Sequence, residues 1–278
     1  MKTTTIALCA GFTLMLLSIS PGGSPVALAA ADDPTDRIKT EAVGYKHGDV
    51  QLEGYLAYDP AGKGKRPGVL VVHEWYGLND FAKAKATELA ALGYVALAVD
   101  MYGKGVLAKD REKASELATP FRKDRKLMRE RIKAALDVLA KNEMVDPKKI
   151  ASIGFCFGGT TSLELARSGA DVAGVVSFHG SLDTPEPGDA KNIKAKVLVL
   201  HGAEDPGVPK AQVEALMDEM RKGKVNWQMN FYSDAVHSFT NPAAGNDPSK
   251  GNAYHEQTAK RAWREMKGFL EEVFAGGK

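Results

Sequence analysis

Short hydrophobic runs alternate along the chain with longer segments whose apolar residues recur at helical spacing. The runs predict buried β-strands at Gly68–Val72, Tyr94–Val99, Lys149–Gly154, Asp171–Phe178, Lys196–Leu200 and Val225–Tyr232. The periodic segments predict helices at Phe81–Leu92, Arg111–Lys141 with a break near Pro120, Gly158–Arg167, Pro209–Lys222 and Tyr254–Phe274. Strands that alternate with helices indicate an α/β fold in which helices cover both faces of a mostly parallel sheet.

A different pattern precedes these units. Thr40–Tyr58 alternates apolar and polar residues around His47-Gly48-Asp49, which predicts an antiparallel hairpin at one edge of the sheet. No later segment is long and polar enough to act as a linker between domains. Residues 31–278 are therefore predicted to form a single domain.

Residues 1–30 have the composition of a targeting segment. Lys2 precedes an apolar run over Thr5–Ile19, and the small residues within Val26–Ala30 offer a cleavage site for a signal peptidase. The run is short for a membrane span. We therefore expect a cleaved signal peptide and an exported protein, periplasmic or secreted, without a stable membrane anchor. A retained N-terminal anchor is the alternative.

Composition narrows the possible partners. The 278 residues are 44% hydrophobic and 26% charged with a formal net charge of +2, so no strong attraction to nucleic acid or an anionic membrane is expected. Of the two cysteines, Cys9 lies within the predicted signal peptide. Cys156 would then be the only cysteine of a mature protein, which we expect to be a monomer. A solitary cysteine is either a buried, inert residue or a working thiol.

The surroundings of Cys156 favour a working thiol. It is the centre of Gly154-Phe155-Cys156-Phe157-Gly158, which lies between a predicted strand and a predicted helix. This is the context of the nucleophile elbow of α/β-hydrolases, where flanking glycines let the strand turn abruptly into the helix. The turn exposes the nucleophile above the sheet, and the N-terminus of the helix favours negative charge there. The alternative is a small hydrophobic cysteine in a glycine-rich turn.

The order of residues after Cys156 matches a catalytic triad. In α/β-hydrolases the nucleophile is followed along the chain by an acid and then by a histidine. Asp205 lies on a loop after one predicted strand, and His237 lies on a loop between the next strand and the last helix. Glu204 competes with Asp205 for the role of the acid but lies one position nearer the strand. The sequence therefore predicts a Cys156–His237–Asp205 triad.

The loop after the first predicted parallel strand completes this site. In α/β-hydrolases that loop contributes to the oxyanion hole, so the backbone N–H groups of Trp75 and Phe157 are predicted to bind a developing oxyanion. Glu74 would be a buried carboxylate near the thiol. Trp75, Tyr76 and Phe157 are expected to wall the substrate pocket. Two further histidines lie at predicted strand ends and are expected to line the site: His73 and His179.

The sequence resembles the dienelactone hydrolase family over nearly the whole of the predicted mature chain. The resemblance rests on HEWYGLNDF (73–81), VDMYG (99–103), GFCFGG (154–159), HGAEDPGVP (201–209) and HSF (237–239). It implies an α/β-hydrolase fold acting on esters or lactones, with Cys156 as nucleophile, His237 as base and Asp205 as its orienting acid. It also implies that Glu74 interacts with the thiol and controls its ionisation when substrate arrives.

Two positions depart from the family pattern. Family members that bind the carboxylate of a dienelactone use two arginines, and Lys104 and Asn241 stand at the corresponding places. Lys104 lacks the bidentate fork of arginine, and Asn241 carries no charge. We expect both residues to contact substrate, and neutral esters or lactones to be accepted at least as well as anionic ones. The alternative is that Lys109 or Arg111 replaces the missing cation.

These observations predict a hydrolase that works by acyl transfer. Sulfur of Cys156 would attack an ester or lactone carbonyl to give a thioester, which water activated by His237 would then hydrolyse. No metal or cofactor is expected, because the histidines are scattered and no dinucleotide- or phosphate-binding glycine loop is present. Two other classes remain as alternatives: an α/β-hydrolase scaffold that binds a small molecule or partner without catalysis, and a thiol-based redox protein, which often has a second, resolving cysteine.

Overall fold

A sheet of eight strands organises the computed structural model, which describes residues 33–275. The strands are β1 (Lys39–His47), β2 (Val50–Tyr58), β3 (Arg66–Val72), β4 (Val95–Val99), β5 (Val145–Phe155), β6 (Gly174–Phe178), β7 (Lys196–Gly202) and β8 (Trp227–Tyr232). Their spatial order is β1-β2-β4-β3-β5-β6-β7-β8. β2 pairs antiparallel with β1 and with β4, and the other neighbours are parallel. The predicted mostly parallel sheet with an antiparallel hairpin at one edge is confirmed.

Helices cover both faces of this sheet. They are α1 (Asp80–Ala91), α2 (Arg111–Lys123), α3 (Arg125–Lys141), α4 (Phe157–Arg167), α5 (Lys210–Lys222) and α6 (Glu256–Ala275). Alternate residues of β3 enter the two layers: Leu70 and Val72 belong to the core cluster that includes residues of α3, α4 and α5, whereas Val69 and Val71 belong to the cluster that includes residues of α1 and α6. Because both faces of the strand are buried, its sequence is continuously apolar.

The helix predicted over Arg111–Lys141 is interrupted at Asp124, not at Pro120 itself. Pro120 lies in the last turn of α2, where the loss of its N–H still allows the turn to close. Asp124 then begins α3, and its side chain accepts the backbone N–H of Leu127 at 3.0 Å. The capping aspartate therefore sets the position of the break.

A buried ion network anchors α4. The fully buried guanidinium of Arg167 donates to both carboxylate oxygens of Glu219 on α5, each at 2.8 Å, and to Glu164 at 2.9 Å. Arg129 on α3 also donates to Glu164, at 2.7 Å. Buried charges are tolerated when each is paired and hydrogen-bonded, as here. The network ties α4 to the helices on either side of it.

The two ends of the chain lie outside the described residues, and so does the predicted signal peptide at residues 1–30. Export therefore stays a prediction. Between residues 33 and 275, none of the helices combines the length and the apolar character that crossing a bilayer requires. The described residues from Pro34 onward group as one compact unit.

Candidate active site

Cys156 occupies the abrupt turn between β5 and α4. Its backbone has φ of 54° and ψ of −114°, in a region that residues with a side chain seldom adopt. The turn requires glycine at position 154, because a Cβ there would lie 1.9 Å from the carbonyl oxygen of Gly158. The backbone thus lifts the thiol above the carboxyl edge of the sheet, at the N-terminus of α4. This is the geometry of a nucleophile elbow.

Side chains from three strand ends meet at this turn. Nε2 of His237 lies 3.0 Å from Sγ of Cys156, and Nδ1 of the same ring lies 2.9 Å from Oδ2 of Asp205. The carboxylate of Asp205 is buried and its other oxygen accepts the backbone N–H of Gly207 at 2.8 Å. Glu204, the alternative acid, is exposed. The structure therefore brings Asp205 to the histidine.

The charge state of His237 depends on its two neighbours. Burial alone would lower its pKa, but the charge on the Cys156 sulfur and the hydrogen bond to Asp205 outweigh burial. The pKa of His237 therefore lies well above its usual range. The arrangement favours an imidazolium held between a sulfur and a carboxylate.

His179 ties the elbow to the loop that carries His237. Its Nδ1 accepts the backbone N–H of Cys156 at 3.2 Å, so the ring proton is assigned to Nε2, which donates to Oγ1 of Thr240 at 2.7 Å. Its ring stands edge-on to that of His237, with centroids 5.3 Å apart. Burial and the positive charge of His237 lower the pKa of His179 well below its usual range, which keeps it neutral. The sequence predicted that His179 lines the site, but the residue is buried and lines neither cavity beside the thiol.

Glu74 is buried against the loop that follows His237. Its Oε1 accepts the hydroxyl of Ser238 at 3.1 Å, and its Oε2 accepts Nδ2 of Asn241 at 2.5 Å. Burial outweighs these two bonds and raises the pKa of Glu74. Glu74 and Cys156 line the same cavity, but the hydrogen-bonding partner of the thiol in this structure is His237.

A cavity of about 620 Å³ opens beside the thiol. Trp75 and Tyr76 form part of its wall, and the hydroxyl of Tyr102 donates to the backbone oxygen of Trp75 at 3.0 Å, which fixes that loop. The ring of Phe157 does not line this cavity. It is buried against Phe121 and borders a smaller cavity that the thiol also lines. Within residues 33–275, no group of three or more His, Cys, Asp or Glu side chains is arranged to hold a metal ion.

The comparison with known proteins identifies the family. The model of the dienelactone hydrolase family matches residues 52–274. The chain belongs to the dienelactone hydrolase family. A solved structure described as m3DLH is 45% identical, with a TM-score of 0.83 and coverage of 86% of this chain and 99% of that one. The predicted resemblance, the α/β-hydrolase fold and the class of hydrolases acting on small molecules are confirmed.

Two other relatives support the dienelactone hydrolase assignment. The structure of P91, a dienelactone hydrolase-like promiscuous phosphotriesterase from metagenomic libraries, is 42% identical with a TM-score of 0.81, covering 86% of this chain and 99% of that one. A putative carboxymethylenebutenolidase from Saccharolobus solfataricus is 28% identical over 239 residues, which cover 74% of this chain and 89% of that protein.

The two positions that depart from the dienelactone hydrolase pattern differ in their place relative to the cavity. Lys104 is absent from the residues that line the cavity, because its ammonium pairs with Glu53 on β2 at 2.6 Å and its backbone N–H donates to Gln51 at 2.9 Å. The prediction that Lys104 contacts substrate is therefore corrected. Asn241 does line the cavity, but its amide is used to hold Glu74.

Arginines of α2 bring positive charge to the cavity of this dienelactone hydrolase family member. Arg111 and Arg122 both line it, and their guanidinium carbons lie 5.8 Å and 5.6 Å from the centre of the Trp75 ring. Arg111 is one of the two residues proposed from the sequence to replace the missing family cation. Arg122 was not anticipated, because the sequence does not reveal which turn of a long helix faces the site.

Proposed function

We propose that this protein is a carboxylic ester hydrolase that cleaves esters or lactones through a thioester on Cys156. The observation that carries the proposal is the line of contacts from Sγ of Cys156 through His237 to Asp205, at 3.0 Å and 2.9 Å. A nucleophile within hydrogen-bond reach of an imidazole, which a carboxylate orients in turn, is the general arrangement for covalent acyl transfer.

Acylation is the first half of the proposed reaction. Sulfur of Cys156 forms a bond to the carbonyl carbon, and the carbonyl electron pair moves onto oxygen, which the N–H groups of Trp75 and Phe157 would bind. When the intermediate collapses, the C–O bond breaks and the departing alkoxide takes the proton of the His237 imidazolium. A thiol suits activated leaving groups such as enol esters, because their alkoxides depart easily.

Deacylation returns the enzyme to its starting state. His237, now neutral, accepts a proton from water while the water oxygen attacks the thioester carbonyl. The C–S bond then breaks, the carboxylic acid leaves, and the proton on His237 balances the thiolate. Asp205 would stabilise the imidazolium and hold the ring in the orientation that both steps need.

Glu74 would influence the ionisation of the Cys156 thiol through the electrostatic effect of its charge, without direct contact. Its carboxylate is buried at the wall of the cavity that Cys156 also lines, and its pKa is raised by burial. A group that changes charge in a site shielded from water alters the stability of a nearby anion strongly. Substrate that fills the cavity would exclude the remaining water and strengthen this effect.

Selective alkylation tests the proposal. Iodoacetamide should place one label on Cys156 and abolish the hydrolysis of 4-nitrophenyl acetate, and Cys156→Ala should be inactive without labelling. Cys156→Ser should remain folded by circular dichroism but lose most activity, because an oxygen nucleophile needs stronger activation than sulfur. Full activity after complete labelling of Cys156 would exclude the thioester mechanism.

The same proteins and assays distinguish an ester hydrolase from a non-catalytic scaffold and from a redox protein. A non-catalytic scaffold would bind the probe ester without turnover in the wild type, and a thiol-based redox protein would consume peroxide without hydrolysing the ester. Turnover that disappears with the thiol supports the hydrolase.

A second candidate activity is phosphotriester hydrolysis, which the 42% identity to the phosphotriesterase P91 favours. The thiolate would attack phosphorus, an alkoxide would leave, and water would then cleave the S–P bond. Diethyl 4-nitrophenyl phosphate is the probe. Release of 4-nitrophenol by the wild type and none by Cys156→Ala would support this activity.

A further inference from the structure

Cys156 lies at the junction of two cavities. The larger, of about 620 Å³, has Trp75 and Tyr76 in its wall. The smaller, of about 190 Å³, extends past the thiol toward the break between α2 and α3. Cys156, His237 and Arg122 line both. An ester whose carbonyl lies at the sulfur has two substituents, and the two cavities offer each of them a separate space.

The smaller cavity has a surplus of positive charge. Arg122 at the end of α2 and Arg125 at the start of α3 both line it, together with a single carboxylate, Asp183. Nη2 of the buried Arg125 donates to Asp183 at 2.9 Å. The exposed Arg122 contacts the face of Trp75 and, within residues 33–275, is paired with no carboxylate. Two guanidinium groups therefore face one anion.

The size and chemistry of this cavity limit what it can take. A volume of about 190 Å³ is of the order of a cavity that holds one benzene-sized group, so the cavity suits a chain of a few carbon atoms or a single small ring but nothing larger. Its hydroxyl oxygens belong to Thr160 and Ser181, and the hydroxyl of Thr160 already donates to the backbone oxygen of Ser181 at 3.0 Å. The free donors are therefore mainly those of the guanidinium groups, which bind carboxylates best.

We propose that the smaller cavity is a subsite for a short acyl chain that ends in a carboxylate, held by Arg122 beside Arg125. The substrate class is then the half-ester of a short dicarboxylic acid, whose bulky apolar alcohol portion lies against Trp75 and Tyr76 in the larger cavity. This assignment rests on the proposed ester hydrolase function. The expectation of neutral substrates rested on Lys104 and Asn241, and the surplus charge lies on other residues.

Two esters of equal chain length test the subsite: phenyl hydrogen glutarate, which carries the carboxylate, and phenyl pentanoate, which does not. We expect the wild type to favour the glutarate by about tenfold or more in kcat/KM at low ionic strength, a ratio equivalent to about 1.4 kcal/mol. Arg122→Met should bring the ratio close to one. Added salt should also reduce it, because Arg122 is exposed and its field is screened.

Two other variants give this experiment its controls. Lys123→Met removes the same charge from the adjacent exposed residue, which lines neither cavity, and should keep the preference. Arg111→Met removes a guanidinium that lines only the larger cavity and should also keep it. A preference lost in Arg111→Met instead of Arg122→Met would overturn the subsite, as would loss of it in Lys123→Met.

The remaining outcomes distinguish the subsite from the hydrolase function. Equal turnover of both esters by the wild type would overturn the subsite and leave the ester hydrolase intact. If neither ester is hydrolysed, the hydrolase proposal fails. Protection of Cys156 from alkylation then tests whether the subsite binds a carboxylate. Free glutarate should then slow alkylation of Cys156 by iodoacetamide in the wild type and not in Arg122→Met. Equal alkylation rates in the two proteins would overturn the subsite as well.

Discussion

Nδ1 of His179 accepts the backbone N–H of Cys156 at 3.2 Å, so a neutral imidazole holds the amide of the residue on the strained turn. The same N–H also donates to the carbonyl oxygen of Phe178 at 3.0 Å. On its other side, His179 donates to Thr240 in the loop of His237. The backbone of Cys156 and the loop of His237 are thereby linked through one ring.

We expect His179→Phe to lower kcat/KM for a phenyl ester by roughly tenfold or more, because the variant keeps a ring but loses both hydrogen bonds. His179→Asn should retain more activity, since its side-chain oxygen can still accept the N–H of Cys156. The pH profile of kcat/KM and the rate of thiol alkylation should shift in the first variant and much less in the second. Equal profiles in both variants, with unequal melting temperatures, would indicate a purely structural role.

Asp205→Asn should lower kcat by roughly 10³- to 10⁴-fold, as loss of the orienting aspartate does in serine-type triads. In the proposed mechanism the carboxylate both orients His237 and stabilises its charged form. Thermal unfolding should change little, because the amide can still hydrogen-bond to the ring. Glu204→Gln is the matched control and should keep wild-type turnover. If the glutamate variant is the damaging one, the assignment of the acid is wrong by one position.

Lys104→Met should leave the ratio of kcat/KM for a dienelactone and its neutral methyl ester unchanged. The ammonium pairs with Glu53 and is 63% exposed, so it does not reach the cavity. Its removal should cost less than about 1 kcal/mol of unfolding free energy, as is usual for exposed ion pairs. A tenfold loss of preference for the acid in this variant would return Lys104 to the role that the sequence predicted.

His73 should make the protein less stable as the pH falls from about 6.5 to about 4. Burial lowers the pKa of this histidine to about 4, and its Nε2 accepts the backbone N–H of Met101 at 3.3 Å, which protonation would prevent. Between the two pKa values the unfolded chain binds a proton that the native state does not, so the free energy of unfolding falls by about 1.4 kcal/mol per pH unit.

Urea unfolding at several pH values between 4.5 and 7 measures this dependence. His179 adds to the decline with falling pH, whereas Glu74, whose pKa is raised, opposes it. The comparison with His73→Gln isolates the contribution of one group. The free energy of unfolding of the variant should fall less steeply with falling pH, by a slope that corresponds to at most one bound proton. Parallel curves for the two proteins would contradict the prediction.

The proximity of Cys156, His237 and Asp205 could be predicted from the sequence because it follows from the topology of the sheet. Cys156, Asp205 and His237 each come after a recognisable apolar strand, and parallel strands bring their carboxyl ends to one edge. Side-chain directions in the loops were not predictable in the same way. Lys104 turned out to be held by Glu53 because the hairpin lies beside it in space, although it is distant in sequence.

For other contacts the sequence predicts the type of partner but not which residue supplies it. A buried carboxylate needs hydrogen-bond donors, so a partner for Glu74 was to be expected, but its identity as Asn241 depends on the fold of a distant loop. The link between His179 and Cys156 involves a backbone amide, which carries no sequence signal. A histidine directly after a strand beside the elbow strand was the only hint.

The buried network around Arg167 has a consequence for the motion of the site. Opening α4 would expose or unpair Arg167 and the carboxylates of Glu164 and Glu219 together, so local unfolding there approaches the cost of unfolding the whole domain. The amide hydrogens of α4 should therefore be among the slowest to exchange with deuterium. Within residues 33–275, the loops that border the larger cavity are held by hydrogen bonds, such as that from Tyr102 to Trp75, and not by a network of several buried ion pairs. Substrate would then enter and leave by movement of these loops, while α4, which begins at the thiol, stays fixed.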